Sequence, residues 1–235
     1  MKIPFIQKIK QLSAALASHF ASKPAPTPVR CNNILALVHH LCDYDHAKAT
    51  WLLRWLAYPL KNPGARMDTA VLVTGDQGTC KSMLFERVMV QIYHHAASVI
   101  EPWQLSSRQN YWADHKRLVV VDGYLSPLEV AHAKSYLACS SVVLQSRGQD
   151  PREQQNRMNF VFMTKDVEVL PDHLKSNRFF LLDVPPPLSG ESYRAIAHEI
   201  ENGGGEAFLD FLMRLDMGNF NARSPAPAAF NAEAA

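Results

Sequence analysis

Cysteine is scarce in this sequence and is never paired. Cys31, Cys42, Cys80 and Cys139 are the only four in 235 residues, and they form no CxxC or CxxC…His pattern. Such scattered cysteines favour neither a disulfide framework nor a zinc site. We therefore expect a reducing compartment.

Long hydrophobic runs are also missing. No stretch approaches the roughly 20 apolar residues that a membrane-spanning helix needs. The N-terminal segment has the small residues of a signal peptide, but Lys8 and Lys10 interrupt its only candidate apolar region. The sequence predicts a cytoplasmic protein with no membrane partner.

Charge of either sign is nearly balanced. The chain has 24 Lys and Arg against 22 Asp and Glu, a formal net charge of +2. This balance neither requires nor excludes nucleic acid, because a local groove can be basic in a nearly neutral chain. With 47% hydrophobic and 20% charged residues, the composition is typical of one soluble α/β domain with short extensions.

The pattern of apolar residues divides the chain into segments. Residues 1–22 have apolar side chains at helical spacings of three and four, which predicts an amphipathic helix, and 23–30 form a proline-rich linker. The helix either packs on its own domain, the reading we favour, or docks a partner through residues 3–20.

Four further segments follow. We predict a helical subdomain at 31–65, closed by the helix-breaking run 58–65, and a core at 66–187 that alternates apolar strands with helices. A helical segment at 188–221 and a disordered Ala/Pro-rich tail at 222–235 complete the chain.

A phosphate-binding loop is predicted where the sequence follows the pattern GxxxxGK[ST]. An apolar strand precedes the motif and a helical pattern follows it, which is the context that such a loop requires. Backbone N–H groups would surround phosphates, the lysine would contact phosphate, and the hydroxyl would reach Mg²⁺. The predicted nucleotide-binding residues are Gly75, Asp76, Gln77, Gly78, Thr79, Cys80, Lys81 and Ser82.

Cys80 stands where this pattern usually has its last glycine. In a left-handed backbone a Cβ costs about 1–2 kcal/mol, so we expect weakened but possible nucleotide binding. A thiol at a helix N-terminus beside Lys81 also favours the thiolate. Two readings follow: an oxidation-sensitive gate, or an inert small-residue substitution, which we favour.

Several segments together resemble a known family. The strand LVVVD ending at Asp122 looks like a Walker B strand. With WLLRWLAYPLKNPG, GDQGTCKS and SNRFFLLDV, it resembles the superfamily 3-type helicase domain of phage and mobile-element primase-helicases over roughly residues 32–220. The resemblance implies a P-loop NTPase (AAA+/superfamily 3 helicase-like) core with flanking helices. It also implies a ring-forming homo-oligomer, possibly a hexamer, that uses ATP and Mg²⁺ to move on single-stranded DNA.

The resemblance also implies roles for individual residues. Lys81 and Ser82 would contact phosphate and Mg²⁺, and Asp122 would support the metal. Arg178 lies where the family has an arginine that reaches the neighbouring subunit's site and stabilises the transferring phosphoryl group. The alternative for Arg178 is a surface ion pair.

A basic hairpin is implied between Gln145 and Arg157. The family points basic residues of such a hairpin at single-stranded DNA, and Arg147 and Arg152, with Arg157, are the candidates here. The alternative is a solvated loop whose arginines form surface ion pairs.

Three residues of the predicted catalytic site differ from those that the family has at the same positions. Besides Cys80, Gly123 replaces the acidic residue after Asp122, and Lys165 replaces an asparagine that senses the γ-phosphate. General-base assistance is typically worth 10²–10⁴-fold in rate, so we expect slow or lost hydrolysis. Asp114 or Glu129 are the substitutes we considered for the missing carboxylate.

Two other groupings of residues predict no separate site. Adjacent histidines, as in His39-His40 and His94-His95, point about 100° apart on a helix and do not form a ligand pair. The aromatic residues Trp103, Tyr111 and Trp112 are suited to base stacking, but we favour core packing for all three.

The sequence therefore predicts an ATP-binding, helicase-like domain that acts in DNA replication of a phage or mobile element. The alternative is a hydrolysis-deficient scaffold or regulator that binds another replication protein through residues 3–20. A weaker third possibility is a P-loop kinase, for which no substrate-pocket signature is present.

Overall fold

Short apolar segments form the strands of the protein. The computed structural model describes residues 30–76, 78–165 and 178–227. The strands are β1 Ala70–Thr74, β2 Ala97–Ile100, β3 Leu118–Asp122, β4 Ser141–Leu144, β5 Arg152–Gln155, β6 Asn159–Thr164 and β7 Phe179–Asp183. Five of them form a sheet in the order β2-β3-β6-β1-β7, in which every neighbouring pair is parallel. All five carboxyl ends therefore share one edge, the carboxyl edge, and the opposite side is the amino edge.

Helices connect these strands and cover the sheet. They are α1 Asn32–Leu41, α2 His46–Lys61, a π-helix Met83–Met89 that continues as α3 Val90–Tyr93, α4 Pro127–Ala138, α5 Gly190–Glu199 and α6 Gly205–Arg214. A kink within Ile200–Gly204, where Asn202 and Gly203 have non-helical backbone angles, joins α5 to α6. The protein is thus α/β with a mostly parallel central sheet, as predicted.

The strands bury both of their faces. Successive side chains point to opposite sides of a sheet, and Val71 and Val73 enter one core cluster while Ala70 and Leu72 enter the other. The first cluster contains residues of α1, α2, α3, α5 and α6, and the second contains residues of α4 and of the hairpin strand β4. The prediction of strands buried on both faces is confirmed.

Helices α1 and α2 share this first cluster with the sheet. The indole N–H of Trp55 donates to the carbonyl of Thr69 at 2.8 Å, and the Trp51 ring packs on Phe180 with centroids 4.4 Å apart. The run 58–65 ends α2 as predicted, but only at Lys61. Pro59 stays inside the helix because its buried ring packs in the core, although it cannot donate a backbone hydrogen bond.

Part of the predicted disordered tail is folded onto the domain. The Trp51 indole donates to the Pro225 carbonyl at 2.8 Å, and the Asp68 N–H donates to the Ala222 carbonyl at 2.9 Å. The prediction of disorder from residue 222 onward is therefore wrong for 222–227, where hydrogen bonds compensate for a composition poor in bulky apolar residues. The predicted helix at 1–22, most of the linker at 23–30, and residues 228–235 lie outside the described residues.

A hairpin is present in the segment for which the resemblance implied one, Gln145 to Arg157, but its strands span residues 141–155. Strands β4 and β5 pair antiparallel, with Ser141 opposite Gln155 and Leu144 opposite Arg152. Across residues 30–76, 78–165 and 178–227, no helix is both long enough and apolar enough to cross a bilayer.

Candidate functional site

The predicted phosphate-binding loop lies at the carboxyl end of β1, an interior strand of the sheet. It connects Thr74, the last residue of β1, to the helix that begins in the Lys81–Met83 region. Ligands of open parallel sheets bind outside the carboxyl ends of the strands, because the connecting loops leave a crevice there. Gln77 lies outside the described residues, and the other seven predicted residues follow this path.

Three described positions of the loop, Gly75, Gly78 and Cys80, have a positive φ. Gly75 has φ +137°, and a Cβ there would lie 3.2 Å from both the Cβ and the carbonyl oxygen of Val184. Glycine is needed at this position because Val184, the residue after β7, packs against it. Cys80 has φ +64°, so the expected strain of about 1–2 kcal/mol is present in the folded loop.

The environment of Cys80 contradicts its expected thiolate character. Its side chain is 5% exposed, and burial raises the pKa of the thiol. Desolvation of the thiol therefore disfavours the thiolate. The structure favours the inert substitution over the oxidation-sensitive gate.

The loop holds donors that suit a phosphate group. Thr79 donates its hydroxyl to the Asp76 carbonyl at 2.8 Å, and the Lys81 ammonium donates to the carbonyls of Gly75 and Asp76. Among the described residues, no hydrogen bond uses the backbone N–H groups of Gly78, Thr79 or Cys80. These N–H groups and the ammonium form a donor set that matches an anionic ligand.

Lys81 and Asp122 face the same cleft, which has a volume of about 620 Å³. Burial lowers the pKa of Lys81, and burial raises that of Asp122, although each side chain partly offsets the shift of the other. Burial therefore leaves both charged groups poorly solvated. A phosphate bound beside the ammonium, or a cation bound beside the carboxylate, would stabilise the charge. Ser82 also lines this cleft, so the predicted metal pair is brought together.

The position after Asp122 is closed to any side chain. Gly123 has φ +142°, and a Cβ there would lie 2.9 Å from Cδ and 3.2 Å from Cγ of Pro102. The proline ring belongs to a short 3-10 helix, Pro102–Leu105, that follows β2. Gly123 is thus required by its neighbour, and the space of the missing carboxylate is occupied by Pro102.

The two substitutes that we considered for this carboxylate have other partners. Asp114 is paired with the guanidinium of Arg152 and lies near the His115 imidazole. Glu129 accepts from the backbone N–H and hydroxyl of Ser126 and so caps α4. Neither residue lines a cleft that contains Asp122 within the described part of the chain.

Sequence reasoning missed several residues of the site. Thr164 and Tyr193 line the cleft with Lys81, as does Lys165, the position at which the resembling family has its sensing asparagine. The Thr164 hydroxyl is buried and has no hydrogen-bond partner within the described part of the chain. The parallel register, which pairs Thr74 with Thr164, places it beside the loop, and this long-range pairing has no local sequence signal.

Glu86 is a further missed residue, and a local signal for it existed. It lies four residues after Ser82, about one turn along the same helix, and shares a second cleft of about 600 Å³ with Asp122 and Gly123. Burial, and then the charge of Asp122, raises the pKa of Glu86. Helical periodicity from Ser82 predicts this placement.

The predicted DNA-binding arginines are all exposed but are not in one group. Arg147 lies in the tip of the hairpin, whereas Arg152 is paired with Asp114. Arg157 lines a separate cleft at the amino edge together with Lys116 and Arg117. Arg152 therefore forms the surface ion pair that we considered as the alternative. Of the three arginines, only Arg147 lies at the hairpin tip.

Arg178 lies at the amino edge, directly before β7. Its backbone carbonyl accepts from Ala70 at 2.8 Å, and its side chain is exposed. A five-residue strand separates it from the carboxyl edge, a distance of about 16 Å at 3.3 Å per residue. Arg178 is consequently remote from the loop of its own chain.

Core packing was predicted for three aromatic residues and is confirmed for one. Trp112 is buried, but Trp103 is 58% exposed and Tyr111 is 67% exposed. Trp103 remains outside the core because its indole N–H donates to the Glu101 carboxylate at 2.7 Å on the surface.

Fold and site together define an α/β protein with a mostly parallel sheet and a donor-rich cleft at its carboxyl edge. The model of a family of unknown function, DUF5906, matches residues 73–178, a little under half of the chain. No curated protein matches the chain.

Solved structures with a similar fold include the C-terminal region of NrS-1. One apo structure of this region (305–718) aligns with a TM-score of 0.69 and 21% identity, and it covers 84% of this chain and 50% of that chain. An A-form apo structure of the same region aligns with a TM-score of 0.68 and 20% identity. The chain thus spans about half the length of these structures, and the likeness concerns the fold.

Proposed function

We propose that this chain is a P-loop NTPase domain of the AAA+/superfamily 3 helicase type that binds ATP and Mg²⁺. It would act in DNA replication of a phage or mobile element and assemble as a ring on single-stranded DNA. The observation that carries the proposal is the shared cleft of the Gly75–Ser82 loop and Asp122 at the carboxyl edge. The similar fold of the C-terminal region of NrS-1, a phage primase-helicase, supports a role in replication.

The residues of the cleft suit distinct parts of the nucleotide. The Lys81 ammonium and the N–H groups of Gly78 to Cys80 would bind the phosphates, and Ser82 with Asp122 would hold the metal. Mg²⁺ is usually bound by one or two protein oxygens together with substrate phosphates and water, and it neutralises phosphate charge. Tyr193, which is 45% exposed at the rim, offers a flat surface for the base.

Assembly follows from the position of Arg178 in this proposal. An arginine at the amino edge cannot serve the loop of its own chain, about 16 Å away, but its exposed side chain can enter the cleft of a second copy. Each complete site would then combine Lys81, Ser82 and Asp122 of one subunit with Arg178 of the next.

Single-stranded DNA would contact two basic surfaces. One is the hairpin tip with Arg147, and the other is the amino-edge cleft, where Lys116, Arg117 and Arg157 are present and no acidic side chain is among the lining residues. Phosphate contacts of this kind give salt-dependent, sequence-independent affinity. We assign Arg152 a structural role, because its charge is neutralised by Asp114.

Binding of MgATP to the purified chain tests the proposal. Replacing Lys81 by alanine removes a charge-assisted contact worth about 1.5–3 kcal/mol, so we expect about 10- to 100-fold weaker binding. Lys134→Ala, on α4 and away from the cleft, is the matched control and should bind normally. Absence of MgATP binding, or equal affinity of the Lys81 variant, would contradict the proposal.

The hydrolysis-deficient scaffold remains the second candidate. The contact of Pro102 with Gly123 favours it, because it removes the usual carboxylate position from the site. Turnover of ATP in the presence of single-stranded DNA separates the two functions. MgATP binding without turnover would identify a nucleotide-dependent scaffold, for which residues 3–20 are the proposed contact with another replication protein.

A further inference from the structure

Because no side chain fits at Gly123, a carboxylate that assists ATP hydrolysis would have to come from another residue. A side chain cannot enter from β3, because Pro102 fills the space next to Gly123. Any replacement must therefore come from another element that borders Asp122. The cleft between the π-helix and the Pro102 turn is the place where such a residue can reach.

Two acidic residues besides Asp122 line that cleft, Glu86 and Glu101. Glu101 is already engaged, since its carboxylate accepts from the Trp103 indole and caps the Pro102–Leu105 helix. Glu86 has no ion-pair or hydrogen-bond partner for its carboxylate within the described residues. It is half-buried, and it is the acidic residue with a free acceptor in this cleft.

The local helix geometry directs Glu86 to the site. Ser82 and Glu86 are four residues apart in a segment that is π-helical from Met83 to Met89, so they lie on one face. Ser82 lines the cleft of Lys81, and Glu86 lines the adjoining cleft; Asp122, Gly123 and Tyr124 border both. Glu86 thus lines the cleft that adjoins the proposed metal pair, and it shares that cleft with Gly123, where Pro102 leaves no room for a side chain.

We propose that Glu86 supplies the carboxylate that Gly123 lacks and acts as the general base for ATP hydrolysis. The inference rests on the proposed binding of ATP at the Gly75–Ser82 loop. It assigns the catalytic role to the helix after the loop instead of to the end of β3.

The step balances without a further reactant. A water oxygen forms a bond to the terminal phosphorus of ATP while the bond from that phosphorus to the bridging oxygen breaks. The bridging oxygen leaves with the electron pair as part of ADP, and one water proton passes to the Glu86 carboxylate. Release of that proton to solvent regenerates the base, and inorganic phosphate departs.

The test compares Glu86→Gln with the unchanged chain and with Glu206→Gln, an exposed glutamate on α6. MgATP affinity and turnover with single-stranded DNA are measured for all three. We expect turnover of Glu86→Gln to fall by about 10²–10⁴-fold while its Kd for MgATP stays close to that of the unchanged chain. Glu86→Asp, which keeps the carboxylate, should recover part of the turnover, whereas Glu206→Gln should change neither quantity.

Other outcomes overturn the inference in distinguishable ways. Unchanged turnover in Glu86→Gln, or a parallel loss of affinity and turnover, removes Glu86 as the base. An unchanged chain that binds MgATP without turnover also overturns it, but leaves the proposed nucleotide site intact. If no MgATP binds at all, the proposed function fails and the inference fails with it.

Discussion

At the scale of single residues, the backbone conformation of Cys80 destabilises the folded protein even when no ligand is bound. Its φ of +64° is a glycine conformation. We expect Cys80→Gly to raise the free energy of unfolding by about 1 kcal/mol, because the strain of the Cβ disappears. Denaturant unfolding measures this change. Cys80→Ala keeps the Cβ and should not be stabilised; a gain of the same size in that variant would refute the strain argument.

The accessibility of Cys80 gives a second prediction. Cys31, Cys42 and Cys80 are buried, whereas Cys139 is partly exposed, and burial raises the pKa of Cys42 to about 12. In the native protein at mildly alkaline pH, iodoacetamide should therefore label Cys139 first. Peptide mass spectrometry at short times identifies the sites. Early labelling of Cys80 would restore the oxidation-sensitive reading of the loop.

The surroundings of Gly123 lead us to expect that a side chain added at this position destabilises the protein. An acidic residue at this position, as in the family that the sequence resembles, should not create a working site, because its Cβ would clash with Pro102. We expect Gly123→Ala and Gly123→Glu to lower the free energy of unfolding by about 1–3 kcal/mol. Gly148→Ala is the matched control, since its φ is also positive but nothing lies near its Cβ. Equal losses at both positions would show that Pro102 does not restrict Gly123.

At the scale of elements, α1 is capped by a residue from the other end of the domain. The Glu199 carboxylate, on α5, accepts from the backbone N–H groups of Asn33 at 3.1 Å and Ile34 at 2.8 Å. The residue before α1, Cys31, makes no side-chain cap. This long-range cap joins the first and the fifth α-helix at their ends.

Loss of this cap should be measurable. Capping interactions contribute about 0.5–2 kcal/mol, so we expect Glu199→Ala to destabilise the protein by about 1–2 kcal/mol in denaturant unfolding. Glu201→Ala is the control, because Glu201 forms only an exposed pair with Arg87, which is worth less than about 1 kcal/mol. Similar effects of the two variants would remove the cap as an explanation.

Elements that follow from local patterns were predictable from the sequence. Continuous apolar runs such as Leu118–Asp122 predicted buried strands, and the motif from Gly75 to Ser82 predicted a strand-loop-helix unit. The resemblance also implied a hairpin between Gln145 and Arg157, although its strands begin earlier, at Ser141. These features depend on neighbours in the sequence, so the sequence contains their signal.

Features that depend on distant contacts were not predictable in the same way. The close approach of Pro102 to Gly123, the proximity of Thr164 to the loop, and the folded tail at 222–227 each join residues far apart in the chain. Asp114 is one example of a residue whose role depends on a distant contact, since its pairing with Arg152 removes it as a catalytic candidate. Local composition cannot report such pairings.

At the scale of the whole molecule, the Gly75–Ser82 loop and Arg178 lie at opposite edges of one sheet. We expect Arg178→Ala to bind MgATP normally but to lose ATP-dependent assembly, because its guanidinium would act only in a second copy. Sedimentation with and without MgATP measures the assembly. Arg214→Ala, which breaks an exposed pair with Asp210, should assemble as the unchanged chain does. Full assembly of the Arg178 variant would argue against a shared site.

This separation of edges has a consequence for symmetry. A subunit whose donor and acceptor surfaces lie on opposite sides makes a heterologous, head-to-tail contact, and a two-fold dimer cannot satisfy both surfaces at once. When Arg178 acts in the neighbouring subunit, as proposed, one end of an open chain of subunits has a cleft without an arginine. The other end has an arginine without a cleft. Only closure of the cycle removes these unfilled ends, so the number of complete sites would itself report whether the cycle is closed.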